Sequence, residues 1–200
     1  MPPPPDIADE QLMVAYAAGQ AGAFDALYDR HQMRLWRYIF RSVGDNATAD
    51  DLAQDVWLRV AGHAAGYQPR AGAPGRSVAR FTTWLFTLAR NRVIDHLRAA
   101  RPAVSLDEPV GDDDRTVADT LAAPSGFGPV RRIENRQQAA QLLAALDALP
   151  PEQRDAFLLQ AEGEMSVAEI AAATGVGPET AKSRLRYARA ALRRALEDMA

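Results

Sequence analysis

The sequence predicts an all-α protein made of two small helical domains that are joined by a flexible acidic linker. Apolar residues recur at spacings of three and four along most of the chain, and no stretch shows the period-two alternation typical of strands. A stretch rich in acidic residues, proline and glycine separates two helical halves. A chain of 200 residues, 48% of them hydrophobic, can form one core or two small ones. The linker between the two helical halves favours two domains.

The first half of the chain predicts three helices after a disordered, proline-rich lead-in at residues 1–20. Residues 23–43 place their apolar side chains on one side of a long helix. The second helix is expected to begin at Thr48, with two aspartates in its first turn, where the helix dipole favours negative charge. The third helix is expected at residues 81–100. The Gly- and Pro-rich connection before it is long enough to predict a functional loop.

Arginines are concentrated around the third predicted helix. Residues 76–101 contain six arginines and one aspartate, Asp95, which is expected to pair with Arg92 or Arg98. Aromatic residues lie between these arginines, and this mixture is typical of surfaces that bind single-stranded nucleic acid. Trp84 also fits a buried helical stripe, so core packing and base stacking both remain open for its ring.

The second half predicts helices at residues 130–149 and 151–162, followed by a helix-turn-helix. Ser166 and Glu169 form a capping box that opens one helix, Gly175 ends it, and Pro178 lies in the first turn of the next. Residues 180–194 then carry six basic residues and no acidic one. An ordinary solvated helix usually carries charges of both signs, so the pattern favours a helix that binds DNA phosphates.

The stretch from residue 102 to 129 differs in kind from both halves. Six acidic residues against one arginine give it a net charge of −5, with glycines and prolines interspersed. This composition predicts a linker, and a plain solvated tether is the preferred interpretation.

Two segments in this order resemble the extracytoplasmic-function sigma factors of the bacterial sigma-seventy family. Region 2 of that family is similar to LYDRHQMRLWRYIF, ADDLAQDVWLRV and FTTWLFTLARNRVIDHLR, and region 4 is similar to LDALPPEQRDAFLL and SVAEIAAATGVGPETAKSRLRYARAALRR. The resemblance implies domains at residues 21–101 and 131–200, with the acidic linker at 102–130 between them. It also implies a non-enzymatic subunit that joins core RNA polymerase, directs it to promoters and helps to open the duplex.

The resemblance implies a polymerase-binding face on the second helix, in contact with the clamp helices of the large polymerase subunit. Residues three or four positions apart on that helix share one face. The residues assigned to this face are Asp51, Leu52, Gln54, Asp55 and Leu58.

The resemblance further implies that the first domain binds the −10 element as a single strand, with a flipped base held in the loop at residues 67–80. Extruding a base costs a few kcal/mol, which stacking and phosphate contacts must offset. The residues assigned to the −10 strand are Arg76, Arg80, Trp84, Asn91 and Arg98. Region 4 is expected to bind the −35 element as duplex. The residues assigned to it are Thr180, Lys182, Ser183, Arg184, Arg186 and Arg189.

The partners implied by the resemblance are core RNA polymerase, through its clamp helices and flap, promoter DNA and an anti-sigma factor. In such proteins the tether threads toward the RNA exit path, where residues 112–114 could imitate RNA phosphates. The sequence departs from the family at two places: Ala181 stands where valine is usual, and the loop around residues 71–75 is longer.

Other classes of function fit the sequence less well. A stand-alone helix-turn-helix regulator has no use for the basic cluster at residues 76–101, and a sigma mimic carries a receiver domain that needs βαβ units. An enzyme acting on DNA needs a nucleophile or a carboxylate cluster. His31, His63 and His96 have no ligand-like spacing, and the chain has no cysteine. We therefore predict no catalytic residue, no metal site and no cofactor.

The sequence also predicts where the protein acts. Its first residues lack the basic and apolar regions of a signal peptide, and no apolar run reaches the length of a membrane span. We expect a soluble cytoplasmic protein without membrane insertion.

Overall fold

The computed structural model describes residues 7–67, 80–100 and 140–197, and no strand occurs within these ranges. The predicted all-α class is therefore confirmed. The acidic linker, Arg76 and most of the predicted 67–80 loop lie outside the described residues. The helices are α1 (Asp9–Ala17), α2 (Ala21–Val43), α3 (Asn46–His63), α4 (Phe81–Ala99), α5 (140–147), α6 (Pro151–Ala161), α7 (Val167–Thr174) and α8 (Pro178–Glu197).

The chain divides into two compact units. The first unit consists of Met1–Arg101 and Leu158–Ala181, and the second of Pro102–Phe157 and Lys182–Ala200. The division falls inside α6 and again inside α8. The boundaries expected from the sequence, at residues 101 and 131, remain a proposal about the domains.

Apolar stripes on α2, α3 and α4 form the core of the first unit. The α2 helix contacts α1, α3 and α4. Tyr38 of α2 meets Phe86 of α4 edge to face, with 5.6 Å between ring centroids. Each fully buried leucine or phenylalanine contributes roughly 1.5–3 kcal/mol relative to an exposed one. The other large buried apolar side chains of these three helices are Leu27, Leu35, Ile39, Phe40, Leu52, Val56, Trp57, Val60, Phe81, Leu85 and Val93.

The turn between α2 and α3 is set by two residues. Gly44 ends α2 with a φ of 78°, a conformation that glycine adopts without steric cost. Asp45 then caps α3, its carboxylate accepting a hydrogen bond from the Thr48 amide at 2.8 Å. The prediction that α3 begins at Thr48 was wrong, because this cap allows the helix to begin at Asn46. No acidic residue lies in its first turn.

Residues 9–17 form α1, so the prediction of a disordered lead-in was wrong over this range. Leu12 and Met13 are fully buried. A nine-residue helix is marginal in isolation, so packing against α2 rather than intrinsic propensity stabilises it. Glu10 of α1 caps the start of α4, since its carboxylate accepts a hydrogen bond from the Phe81 amide at 2.7 Å.

A partly buried polar contact joins α1 to α2. Asp9 accepts hydrogen bonds from Arg30 at 2.8 Å and from Nε2 of His31 at 2.7 Å. Burial alone raises the pKa of Asp9, but the hydrogen bonds and charges of His31 and Arg30 outweigh burial and hold it below the ordinary value of 3.8. Because Nε2 of His31 donates to a carboxylate, its buried Nδ1 is the nitrogen left without a hydrogen-bond partner.

Gly163 lies against Phe86, which predicts a stability effect. A Cβ atom at this position would lie 2.6 Å from the carbonyl oxygen of Leu159 and 3.0 Å from Cγ of Phe86. We expect Gly163→Ala to lower the free energy of unfolding by about 1–3 kcal/mol, as overpacking does. Urea denaturation measures this. The control is Gly62→Ala in α3, which meets open space and should be neutral or stabilising. Equal effects of the two changes would contradict the prediction.

The low pKa of Asp9 predicts how stability depends on pH. Because the folded-state pKa lies below 3.8, the stabilisation from this carboxylate is fully present above pH 3.8 and is lost as the pH falls through the folded-state value. We expect Asp9→Asn to be less stable than the wild type at pH 7, and the difference to shrink below pH 3.8. Thermal unfolding across this range tests the expectation. Asp29→Asn, at an exposed position of α2, is the control.

Candidate nucleic-acid and polymerase interfaces

The turn between α7 and α8 has the local structure that the sequence predicts. Ser166 Oγ accepts a hydrogen bond from the Glu169 amide at 3.3 Å, and the Glu169 carboxylate accepts one from the Ser166 amide at 2.8 Å. This reciprocal pair is a capping box. Gly175 ends α7 with a φ of 70°, and α8 begins at Pro178. The helix-turn-helix pattern is therefore present.

The α8 helix has one buried stripe and one basic surface. Leu185, Ala188 and Leu192 are buried, as is Ala181 near the start of the helix. The residues assigned to the −35 element remain accessible. Thr180, Lys182, Arg186 and Arg189 are exposed, and Ser183 and Arg184 are partly buried. This distribution suits a helix that lies along DNA with its positive side toward the phosphates.

Arg186 is oriented by its neighbour. Its guanidinium lies over the ring of Tyr187, 4.9 Å from the centroid, and one nitrogen donates to the Tyr187 hydroxyl at 3.2 Å. Both side chains are exposed. The cation–π contact holds the charge on the outer surface of the helix, where an incoming anion can reach it.

The described residues assigned to the −10 strand lie along α4. Arg80 precedes the helix, Asn91 and Arg98 are exposed on it, and Trp84 is partly buried. The Trp84 ring lies 5.4 Å from the ring of Tyr67 and 5.8 Å from that of Phe81. Its indole therefore packs in an aromatic cluster and still keeps some exposed surface. This environment is intermediate between the core packing and the base stacking that the sequence left open.

Tyr67 is the partner in this cluster that sequence reasoning did not single out. Burial, followed by the charges of Glu10 and Asp9, raises the pKa of Tyr67 to about 12. The phenol therefore stays neutral at physiological pH and can donate a hydrogen bond. Tyr67 is also the first residue of the 67–80 loop that is expected to hold the flipped base.

Two arginines near the predicted −10 surface are bound within the protein. Nη1 of Arg90 donates to the carbonyl oxygen of Ala173 at 2.8 Å. Arg92 donates to Oδ2 of Asp55 through two nitrogens, at 2.9 and 2.6 Å. Of the two partners expected for Asp95, Arg92 and Arg98, the first is bound by Asp55 instead. The acidic partner lies on α3, 37 residues away, where spacing along one helix gives no signal.

The residues assigned to polymerase fall into three environments on α3. Asp51, Gln54 and Leu58 are exposed, Leu58 with 64% of its surface accessible. Asp55 is partly exposed and held by Arg92. Leu52 is only 2% exposed, so it packs in the core beneath this face and cannot contact a partner directly. The accessible face therefore combines two polar side chains, one constrained carboxylate and one apolar leucine.

Trp36 is a further constrained side chain beside α3. Its indole Nε1 donates to Oδ1 of Asp50 at 2.6 Å, and its ring stacks on Phe40 with 5.0 Å between centroids. This link ties the exposed side of α2 to the first half of α3 and was not predicted from the sequence.

Within residues 7–67, 80–100 and 140–197, no group of three or more His, Cys, Asp or Glu side chains could hold a metal ion. Among the same residues no helix is both long and apolar enough to cross a membrane.

Comparisons with known proteins match both halves of the chain. Residues 27–102 match the Sigma-70 region 2 family, and residues 139–192 match the family Sigma-70, region 4. The ECF RNA polymerase sigma factor SigL of Mycobacterium tuberculosis is 36% identical over 183 residues, which cover 92% of this chain and 94% of SigL.

Two solved structures are similar in fold. CnrH, solved in complex with the cytosolic domain of CnrY, has a TM-score of 0.60 at 25% identity, covering 97% of this chain and 100% of CnrH. The sigma factor RpoE of Bartonella quintana, solved with the anti-sigma factor NepR, has a TM-score of 0.58 at 20% identity, over 87% of this chain and 96% of RpoE.

The match to region 2 accounts for the half of the chain that a stand-alone helix-turn-helix regulator leaves unexplained. Both regions occur in one chain in the expected order, and the identity to SigL extends across both. The chain therefore belongs to the extracytoplasmic-function sigma factors of the sigma-70 family.

Proposed function

We propose that this sigma factor joins core RNA polymerase through α3, binds the −10 element as a single strand along α4 and binds the −35 element as duplex through α8. The observation that carries the proposal is the basic surface of α8, next to a capped helix and a glycine turn. A DNA-reading helix of this kind, in a chain that also has region 2, serves promoter recognition rather than repression alone.

The −35 contact is supported by small or accessible side chains at the start of α8. Thr180 and Lys182 are exposed and Ser183 is partly exposed, so this end of the helix can approach base edges closely. Arg186 and Arg189 follow on the exposed surface and supply phosphate contacts. Charge and reach thus fall on the same side of the helix.

The −10 contact is supported by Arg80, Asn91 and Arg98 together with the aromatic cluster. Aromatic faces stack on bases of any sequence, and arginines neutralise phosphates. A neutral Tyr67 and a partly exposed Trp84 at the end of the expected loop provide the stacking surface. Stacking on these rings would offset the cost of flipping the base out of the duplex, which is about a few kcal/mol.

Control by an anti-sigma protein is part of the proposal. CnrH, 25% identical and similar over its whole length, was solved with the cytosolic domain of a second protein. We propose a partner of this kind for the present chain, and we place its action in the cytoplasm, where core polymerase works. No catalytic step is assigned to the chain itself.

The exposed leucine of α3 gives a direct test with core polymerase. We expect purified protein to produce specific run-off transcripts with core enzyme, on fragments that include the promoter region of its own gene. Leu58→Asp should weaken core binding at least tenfold, about 1.4 kcal/mol, because it places a charge in an apolar contact. Fluorescence anisotropy measures this. Met33→Asp, on a residue of α2 that is 53% exposed, is the matched control.

A loss of core binding in Leu58→Asp but not in Met33→Asp is expected. Equal core binding by both variants would remove α3 from the polymerase contact. Duplex DNA binding without any association with core would instead favour the regulator function.

The basic surface of α8 predicts a change in salt dependence. Arg186→Ala should weaken duplex promoter binding and lower the slope of log K against log salt by about 1, if Arg186 contacts one phosphate. Titration of labelled promoter DNA at several salt concentrations measures the slope. Arg194→Ala removes the same charge from the last turn of α8 and should change the slope less. An unchanged slope in Arg186→Ala would exclude the phosphate contact.

A further inference from the structure

An acidic segment of the first unit lies against α2 and α4. We define the acidic segment as residues 162–173, which follow α6 and include most of α7. It carries Glu162, Glu164 and Glu169 and no basic residue. Each of the three glutamates contacts an arginine of α2 or the start of α4.

Two arginines of α2 bind the first part of the acidic segment. Arg37 forms a two-point contact with Glu162, with Nε to Oε1 at 3.0 Å and Nη2 to Oε2 at 2.8 Å. Arg34 pairs with Glu164 at 3.0 Å. The paired geometry at Arg37 is the one that arginine also uses to bind phosphate.

The start of α4 binds the second part of the acidic segment. Thr83 Oγ1 donates to Glu169 Oε1 at 2.5 Å, and Nη2 of Arg80 lies 3.9 Å from Glu169 Oε2. Nη2 of Arg80 also donates to the carbonyl oxygen of Glu164 at 3.4 Å. Farther along α4, Arg90 donates to the carbonyl oxygen of Ala173, at the negative end of the α7 dipole.

Two details show that these contacts constrain the segment. Glu164 has a φ of 53°, a left-handed conformation that is strained for a residue other than glycine, and both its carboxylate and its carbonyl oxygen meet arginines. Burial raises the pKa of Glu169, but hydrogen bonds from Thr83 and Ser166 and the charge of Arg80 outweigh burial and lower it. Glu169 is therefore anionic when it occupies this position.

The carboxylates and carbonyl oxygens of the acidic segment accept hydrogen bonds from arginines, and arginines also bind phosphates. Arg80 belongs to the surface assigned to the −10 strand, and Arg90 lies one residue before Asn91 of the same surface. We infer that the acidic segment is a built-in competitor for this surface, and that a single DNA strand must displace it from Arg37, Arg80 and Arg90. The inference rests on the proposed function of α4 and adds Arg34 and Arg37 of α2 to the surface.

The strength of the contacts is suited to displacement. The side chain of Arg80 is 51% exposed and that of Glu164 is 59% exposed, so water and salt screen their ion pairs. Pairs of this kind are individually weak, whereas a strand carries a phosphate at each nucleotide and releases counterions when it binds. A polyanion can therefore replace three carboxylates, while a neutral ligand cannot.

The test compares DNA affinity with the position of the segment in the full chain. Because the chain has no cysteine, Asp29→Cys on α2 and Ala168→Cys on α7, both exposed, allow two dyes to be attached for energy transfer. The probe is a single-stranded oligodeoxythymidine of about 20 nucleotides, since stacking and phosphate contacts tolerate any base. The dye-labelled protein is titrated with it at about 0.1 M salt, where unpaired surface charges are largely screened beyond ~10 Å.

The variant is Glu162→Gln with Glu169→Gln. Glutamine at position 169 can still complete the capping box, so α7 should keep its start. The control is Glu152→Gln with Glu197→Gln, which makes the same charge change at exposed positions of α6 and α8. We expect the variant to bind the oligonucleotide about threefold to tenfold tighter than the control, as a shift of about 1 kcal/mol in the contact implies. Energy transfer should be lower in the variant, and in the wild type it should fall as the oligonucleotide binds.

The two ways of failing are distinguishable. If Arg80→Ala with Arg90→Ala weakens oligonucleotide binding but the glutamate variant binds no tighter than its control, the competitor is excluded and the proposed −10 surface stands. If the arginine variant binds as well as the wild type, the −10 surface is wrong and the competitor falls with it. Thr83→Val loosens Glu169 without altering the acidic segment and gives a second test should the glutamate variant lose its far-UV circular dichroism. Unchanged affinity in Thr83→Val would then overturn the inference.

Discussion

Every helix of the first half that the structure describes depends on the apolar stripe of α2. Leu27, Leu35, Tyr38 and Ile39 exclude water along its length, and α1, α3 and α4 each contact this helix. Once these side chains are buried, the rotation of α2 about its axis is fixed. Its polar side chains, Arg30, Arg34 and Arg37, must then emerge at the edges of the core. Their positions are a consequence of hydrophobic packing rather than of charge.

Acidic partners at those edges decide what each arginine does. Arg30 is held by Asp9 of α1, while Arg37 is held by Glu162, which is 125 residues away in sequence. Arg92 of α4 is held by Asp55 on the face proposed for polymerase. Guanidinium groups that line one core therefore serve three purposes: anchoring a terminal helix, orienting a carboxylate, and holding a displaceable segment. A sigma factor needs these three kinds of contact, because it must fold, bind polymerase and expose its DNA-binding surface when a DNA strand binds.

Local chemistry made much of this structure predictable from the sequence. The capping box of Ser166 and Glu169 and the glycine turn at Gly175 involve residues a few positions apart, so the sequence contains the whole interaction. The start of α3 was expected at Thr48, two residues too late, because the cap at Asp45 was not recognised. Leu52 was assigned to the polymerase-binding face through the resemblance to the family, whereas its helical register buries it.

Pairs distant in sequence could not be predicted in the same way. Nothing in the spacing of RLWR at residues 34–37 indicates that its arginines meet Glu162 and Glu164, because that pairing depends on how helices pack. Sequence reasoning found the arginines of α4 from their density but not the acceptors that bind them. Charge density identifies a surface that can bind anions, and only coordinates identify which anion occupies it.

Glu164 illustrates a conflict that such an arrangement creates for selection. Its backbone conformation is one that glycine adopts without steric cost, while its side chain pairs with Arg34. Selection for a more stable protein would favour glycine at this position. Selection for a DNA-binding surface that stays covered until a strand displaces the acidic segment would favour glutamate. The residue found in any lineage then records which of the two pressures has been stronger there.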